Sequence, residues 1–434
     1  MKKITFMYAM ICIASVLSAQ TVVTNWSYTN AGGNPPLSPA NNATLIPMPP
    51  AVGSTRNIAA GVFNGNDRMF VFTRVGATQV LAYETAEGTL AASLNVTGVS
   101  GGLVAIGDGD VTTDGKLLMC NVADTGKPFK VYQWDNETDA PKLVINWTVD
   151  GVKERYGDKA LMTGSIADGT AKVYSPNKKL GYAQVMCWSM IPDTENPGSF
   201  KFNNVPAPTV NVFGNSTQPS VAVTPEGGYY YKDAQKNLSN YAANGDSISE
   251  GSTSVIRVWA GPVKYIYKDG NDDIIAYFKY RSAPLTPEEP VQELVEILRV
   301  PNGNLAEVSV IAATPSLGPE YNLNGWNDFV ARKVGNDIEV FAFSTTNGFA
   351  MYTIQNLNTQ TSSASMEDKI KLTNTNGSLR VDGIQATEVE IFNIMGHRVH
   401  HVLNSSLVTT SDFKGMHLVR VKAGDVAKTF KMAF

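Results

Sequence analysis

The chain has 434 residues, 43% hydrophobic and 17% charged, with 35 basic against 39 acidic side chains and a formal net charge of −4. That apolar content supports a sizeable core and excludes wholesale disorder, and the acidic balance excludes the basic footprint of a nucleic-acid binder. With 37 glycines, 22 prolines and few charges, the composition leans to a turn-rich β protein.

Lys2 and Lys3 precede an apolar run, Ile4 to Leu17, that is too short to span a bilayer. Ser18-Ala19-Gln20 then supplies small residues for cleavage between Ala19 and Gln20, so residues 1–19 read as a signal peptide. No other apolar stretch approaches the ~18 residues of a spanning helix, and the mature chain is expected to have no transmembrane segment.

From residue 20 to 356 a loose repeat recurs: an apolar strand, a tight turn, then a stronger strand. The first strands and their turns are Ile58–Phe63 at Gly65-Asn66, Asp110–Thr112 at Asp114-Gly115, and Ala160–Thr163 at Asp168-Gly169. They continue with Ser220–Val223 at Glu226-Gly227, Val263–Tyr267 at Asp269-Gly270, and Asp328–Ala331 at Gly335-Asn336. These six turns lie roughly 43 to 65 residues apart, the length of a four-stranded propeller blade. Further strands fall at Val131–Trp134, Leu143–Trp147 and Glu293–Ile297. The last unit runs short at Met351–Ile354, and Val22–Trp26 can supply its missing strand and close the ring, removing exposed edges. A two-sheet sandwich array is the competing arrangement. It is disfavoured because the hairpin signal recurs once per blade length.

Cys120 and Cys187 sit in apolar strand-like runs of different units and read as buried free thiols. Residues 357–368, rich in Asn, Thr and Ser, read as a linker. Alternating runs over 369–434, punctuated by Gly377, Gly383, Gly396, Gly415 and Gly424, predict a small antiparallel β-sandwich. The fold class is thus all-β: a β-propeller of six blades, with seven as the alternative count, followed by a small C-terminal β-sandwich.

The C-terminal segment resembles the type A C-terminal sorting domain of the type IX (Por) secretion system. The matching residues are Asn376-Gly377 with Leu379 and Val381; Val389, Ile391-Phe392-Asn393, Gly396 and Val399; Gly415 with Leu418–Val421; and Lys428–Lys431. Two positions depart from the pattern: Thr373-Asn374-Thr375 stands where Asn-Pro is usual, and His417 replaces an aromatic. The resemblance implies export, a type IX translocon and sortase as partners, removal of the domain, and a secreted or outer-membrane-surface location. The preceding region resembles exported propeller-like proteins of Bacteroidetes built on a domain of unknown function. That likeness rests on Arg56–Gly61 with Gly65–Val71, Asp110–Gly115, Pro128–Asp135, and Gly157–Lys159 with Thr163–Ser165. It implies a fold and no reaction.

The four histidines, His397, His400, His401 and His417, all lie in the C-terminal segment. Residues 20–356 therefore lack the base of a Ser-His-Asp or Cys-His site and any histidine-ligated metal. His397, His400 and His401 read as surface residues with no partnering carboxylates. Calcium needs only oxygen ligands, so Asp110 and Asp328, each at a strand entrance, are candidates to hold it; capping of the strand entry is the competing role. Asp269–Asp273 superficially resembles a calcium loop but reads as a hairpin turn. Tyr229–Tyr231, Tyr265, Tyr267, Trp188 and Trp326 could stack sugar rings, against the competing role of core packing. Trp326, Asn327 and Asp328 form the candidate ligand-binding group together with Asp110. The expectation is a non-catalytic module binding a surface glycan or protein, with no cofactor. The alternative is a calcium-assisted hydrolase or lactonase using the channel carboxylates.

Overall fold

The computed structural model describes residues 21–29, 55–74, 77–150, 154–177, 182–213, 218–233, 236–252, 255–256, 260–280, 293–318, 326–355, 371–375, 377–382, 386–393, 396–423 and 426–434. They fall into two compact units, one within Ala19–Asn356 and one within Leu357–Phe434.

In the larger unit the described residues form six antiparallel sheets of four or five strands. The first contains Thr55–Phe63, Asn66–Thr73, Gln79–Glu84 and Leu90–Ser93, and the second Gly109–Val111, Leu117–Cys120, Pro128–Trp134 and Lys142–Thr148. The third contains Leu161–Thr163, Lys172–Pro176 and Tyr182–Pro192, with Phe200–Phe202 and Ala207–Phe213 both paired to its third strand. The fourth contains Ser220–Val223, Tyr229–Lys232, Ser239–Tyr241 and Ser247–Glu250; the fifth, Ala260–Asp269, Asp272–Lys279, Leu294–Val300 and Ser309–Ala313. The sixth takes Asn327–Val334, Asp337–Ser344 and Gly348–Gln355 from one end of the unit and Thr21–Thr29 from the other.

Each of the six hairpins legible in the sequence opens one sheet. The first turn is centred one residue earlier than the sequence suggests, on Asn64-Gly65, because both residues take positive φ (47° and 82°) while Phe63 pairs with Asn66. The N-terminal strand pairs with Gly348–Gln355, as the short last unit requires.

Neighbouring sheets meet through their opening strands in cyclic order, and Asn327–Val334 of the sixth lies beside Thr55–Phe63 of the first. The third and fourth meet through Lys172–Pro176 and Ser220–Val223. The result is an all-β, propeller-type arrangement. It explains why the second strands read as continuous apolar runs rather than alternating ones: both faces are buried. Met69 and Val71 pack toward the sixth sheet, whereas Phe70 and Phe72 pack toward the second. Tyr229 and Tyr231 pack on the third sheet and Tyr230 on the fifth.

In the C-terminal unit, strands Lys371–Thr375, Ser378–Asp382 and Leu407–Thr409 form one sheet, and Arg398–Leu403, Glu388–Asn393, Met416–Ala423 and Val426–Ala433 form another. Leu379, Val381 and Val408 of the first share one core with Val389, Ile391, Val419 and Val421 of the second. His417 fills the place of an aromatic, its ring 5.5 Å from both Phe413 and Phe434. Gly377, Gly396 and Gly415 turn the chain at positive φ, and Lys431 lies opposite Leu418 in the sheet. Ala19, Gln20, Asn376 and the linker 357–368 lie outside the described residues.

Candidate functional site: an axial polar network and an inter-sheet groove

The strand entrances converge on the axis of the larger unit and bring Asp110, Trp326, Asn327 and Asp328 into one polar network. Asp328, fully buried, accepts a hydrogen bond from Ile58 N of the first sheet at 3.1 Å and faces the Lys159 ammonium at 3.4 Å. Lys159 also donates to Asn57 Oδ1 and to the Asn327 carbonyl. Asp110 accepts from Met162 N of the third sheet at 2.9 Å and lies 3.6 Å from Lys264 Nζ. Asp108 accepts from Gly109 N and from Ala160 N, each at 2.9 Å.

The same device recurs around the ring. Ser220 Oγ accepts from Val263 N at 3.0 Å, joining the fourth sheet to the fifth, and Asp114 accepts from Ile166 N and Ala167 N at the turn end. Short polar side chains at strand ends take up backbone donors of the next sheet that no ladder satisfies.

Electrostatics follow from this burial. Desolvation, with Asp328 as the next cause, pushes the Asp108 carboxyl up to about 8. Burial likewise raises Asp110, against the pull of Lys264. For Lys264 burial acts downward, but Asp110, Asp328 and Asp108 outweigh it and hold the ammonium above its ordinary value. With Asp108 keeping its proton, the two other acids, Asp110 and Asp328, face the two ammoniums, Lys264 and Lys159. Asp110 and Asp328 each carry a backbone N–H and a lysine, so a cation between them would have to displace both lysines. Strand-entry capping is the role their geometry displays.

Trp326 is half-buried with the Arg56 guanidinium 3.6 Å from its ring centroid, and Arg56 itself pairs with Asp158 at 2.9 Å. The other aromatics are mostly core: Trp188 stacks on Phe129 at 4.7 Å, and Tyr229, Tyr230 and Tyr231 are all buried. The acidic run at Asp269–Asp273 is a hairpin, with Arg299 holding Asp269 at 2.8 Å and Asp272 at 3.0 Å. In the C-terminal unit one expectation needs correction: His401 does face carboxylates. Glu388 lies 2.7 Å away and Glu390 is near enough to complete a metal-sized group. Cross-strand register on one sheet face produces this grouping, and Arg398, Arg420 and Lys422 already neutralise it.

A second site was not singled out by the sequence. Between the fourth and fifth sheets, at the end that carries the hairpin turns, lies a groove of about 430 Å³. Its lining includes Asn240, Tyr241, Lys268, Asn271, Asp273 and Asn302. Glu226 and the run Lys268–Asp273 belong to two of the turn signals read in the sequence, but Asn240-Tyr241 and Asn302 come from other segments, and no local spacing links the three groups.

No protein-family model matches the chain, and no curated protein sequence matches it. Among solved structures, the chain is similar to a DUF4623 family protein from Bacteroides eggerthii, at 16% identity and a TM-score of 0.55, over 70% of this chain and 71% of that one. A Hadza microbial sialidase follows at 10% identity and a TM-score of 0.42, covering 70% and 66% of the two chains. The PQQ-bound aldose sugar dehydrogenase of Streptomyces coelicolor gives 12% identity and a TM-score of 0.41, covering 77% and 98%. The first likeness bears on the fold alone, and the last two carry no argument about this chain.

Proposed function

We propose that the chain is an exported six-bladed β-propeller that works as a non-catalytic binding module and is delivered by the type IX secretion system through its C-terminal domain. The cyclic contacts of six sheets support the blade count, with Thr21–Thr29 as the closing strand of the sixth. The sorting role rests on the C-terminal motif, whose glycines fall at turns of a two-sheet unit. Its destination is the cell surface or the medium.

The single observation that carries the binding reading is the use made of the axial acids. Asp110 and Asp328, the residues a calcium-assisted hydrolase would need, hold neighbouring sheets together and pair with Lys264 and Lys159. With no histidine between residues 20 and 356, general acid–base work there would fall on carboxylates, lysines or tyrosines alone.

The test is a thermal-denaturation series on the full chain with calcium and with EDTA. A module of this kind shows the same midpoint in both. A calcium-dependent rise that EDTA reverses, as mass action on a native-state ion requires, overturns the reading in favour of the hydrolase. For the sorting role, deletion of residues 369–434 is expected to leave the protein inside the producing cell; unchanged export would refute it.

A further inference from the structure

We infer that the groove between the fourth and fifth sheets is a binding site for a neutral sugar, a mono- or disaccharide unit of a glycan; this rests on the binding-module reading and assigns its site. Its volume of about 430 Å³ lies in the range of small-ligand pockets, roughly 300–1,000 Å³. The lining offers what a polyhydroxylated ring requires. Asn271 and Asn302 are carboxamides that both donate and accept, and they line the groove with side chains that reach solvent. Tyr241 and the exposed Ile248 give an apolar wall for a ring face.

Charge argues against an anionic ligand. The groove's ammonium, Lys268, is paired with Glu226 at 2.7 Å, so no free cation is offered to an acidic group, and the second acid of the lining, Asp273, is an acceptor suited to a sugar hydroxyl. Asp273, at the groove wall, is buried and turned to the Tyr230 hydroxyl at 2.6 Å, with its other oxygen lacking a protein hydrogen bond. The walls are rigid where they need to be. Asn240 donates to the Gly303 carbonyl at 2.7 Å, tying the third strand of the fourth sheet to the segment that carries Asn302.

Asn302 provides a clean probe. Its φ is +51°, a left-handed conformation that glycine adopts without strain, so Asn302→Gly deletes the carboxamide and keeps the turn. Asn271→Gly, in the hairpin after Gly270, is the second variant. The experiment is calorimetric titration of the full chain with maltose, cellobiose and lactose, with 3′-sialyllactose as the charged comparator. At least one neutral disaccharide is expected to bind, and each variant to weaken it about three- to tenfold at an unchanged melting midpoint, the scale of one or two lost hydrogen bonds. Binding that neither variant weakens overturns the placement and leaves the module reading standing. Binding of sialyllactose alone, or of a protein with no sugar bound, overturns the ligand class. If no sugar binds, the inference fails, whereas the module reading fails only with a calcium-dependent midpoint.

Discussion

Asp328 places a carboxylate where no solvent reaches, with one oxygen on the Ile58 amide and the other facing Lys159. Removing one partner of a buried pair leaves the other charge uncompensated, and this costs more than the pair itself contributes. Asp328→Ala is therefore expected to lose about 3 kcal/mol in urea denaturation, while Asp328→Asn, which still accepts from Ile58, loses less. Glu293 offers a pH signature. It is fully buried, accepts from Asn347 at 2.8 Å, and desolvation pushes its carboxyl up to about 7 from an ordinary 4.5. Between those values the folded chain holds a proton that the unfolded chain has released. Stability from this group is thus full below about pH 4.5 and lost as pH rises through 7. Asp108 acts in the same sense, up to about 8. Lys232, buried and lowered to about 7, changes the slope only above that pH, where it raises stability. The melting midpoint of the full chain is expected to fall from pH 5 to 7, and to fall less in Glu293→Gln, which keeps the acceptor and loses the proton.

At the scale of one element, the N-terminal strand joins the two ends of the larger unit. Trp26 is its anchor: the indole packs 5.6 Å from Phe349 and donates to the Thr85 carbonyl at 2.8 Å, so a strand of the sixth sheet is pinned to the first. Gly88 sits under the ring at φ +67°, where a Cβ would come within 2.7 Å of the indole. Trp26→Ala is expected to cost about 3–5 kcal/mol, the range for large-to-small aromatic truncation in a core. The same loss should appear as faster amide exchange along Gly348–Gln355. A local effect confined to residues near Trp26, with the Gly348–Gln355 ladder still protected, would show that the strand is dispensable for closure.

At the scale of the molecule, the larger unit has its own sheets and inter-sheet cores, and the C-terminal unit has its own two sheets and a core of its own. A chain ending at Asn356 is expected to keep the cooperative thermal transition of the larger unit within a few degrees. Loss of that transition would mean that the units fold only together. The polar axis extends the same logic of closure. Carboxylates and a serine hydroxyl at strand ends bind backbone donors across several seams, so the ring is held by hydrogen bonds at its centre as well as by apolar packing between sheets.

The sequence by itself determined the local features. Turn pairs such as Asp114-Gly115 and Gly335-Asn336, with apolar runs on either side, set the six hairpins because positive φ and strand propensity are properties of a few adjacent residues. The short last unit likewise announced the need for the N-terminal strand. Tertiary structure alone decided what the polar residues do. Asp110 and Asp328 were visible at strand entrances, yet their respective lysine partners, Lys264 and Lys159, lie far along the chain, and only ring closure brings them within ion-pair distance. Trp326, a candidate to stack a sugar ring, proved to be covered by Arg56. Glu388, Glu390 and His401 meet only through cross-strand register. The groove residues are similarly dispersed over two sheets, because a binding surface between packed sheets is a property of their spacing, which no periodicity along one strand encodes.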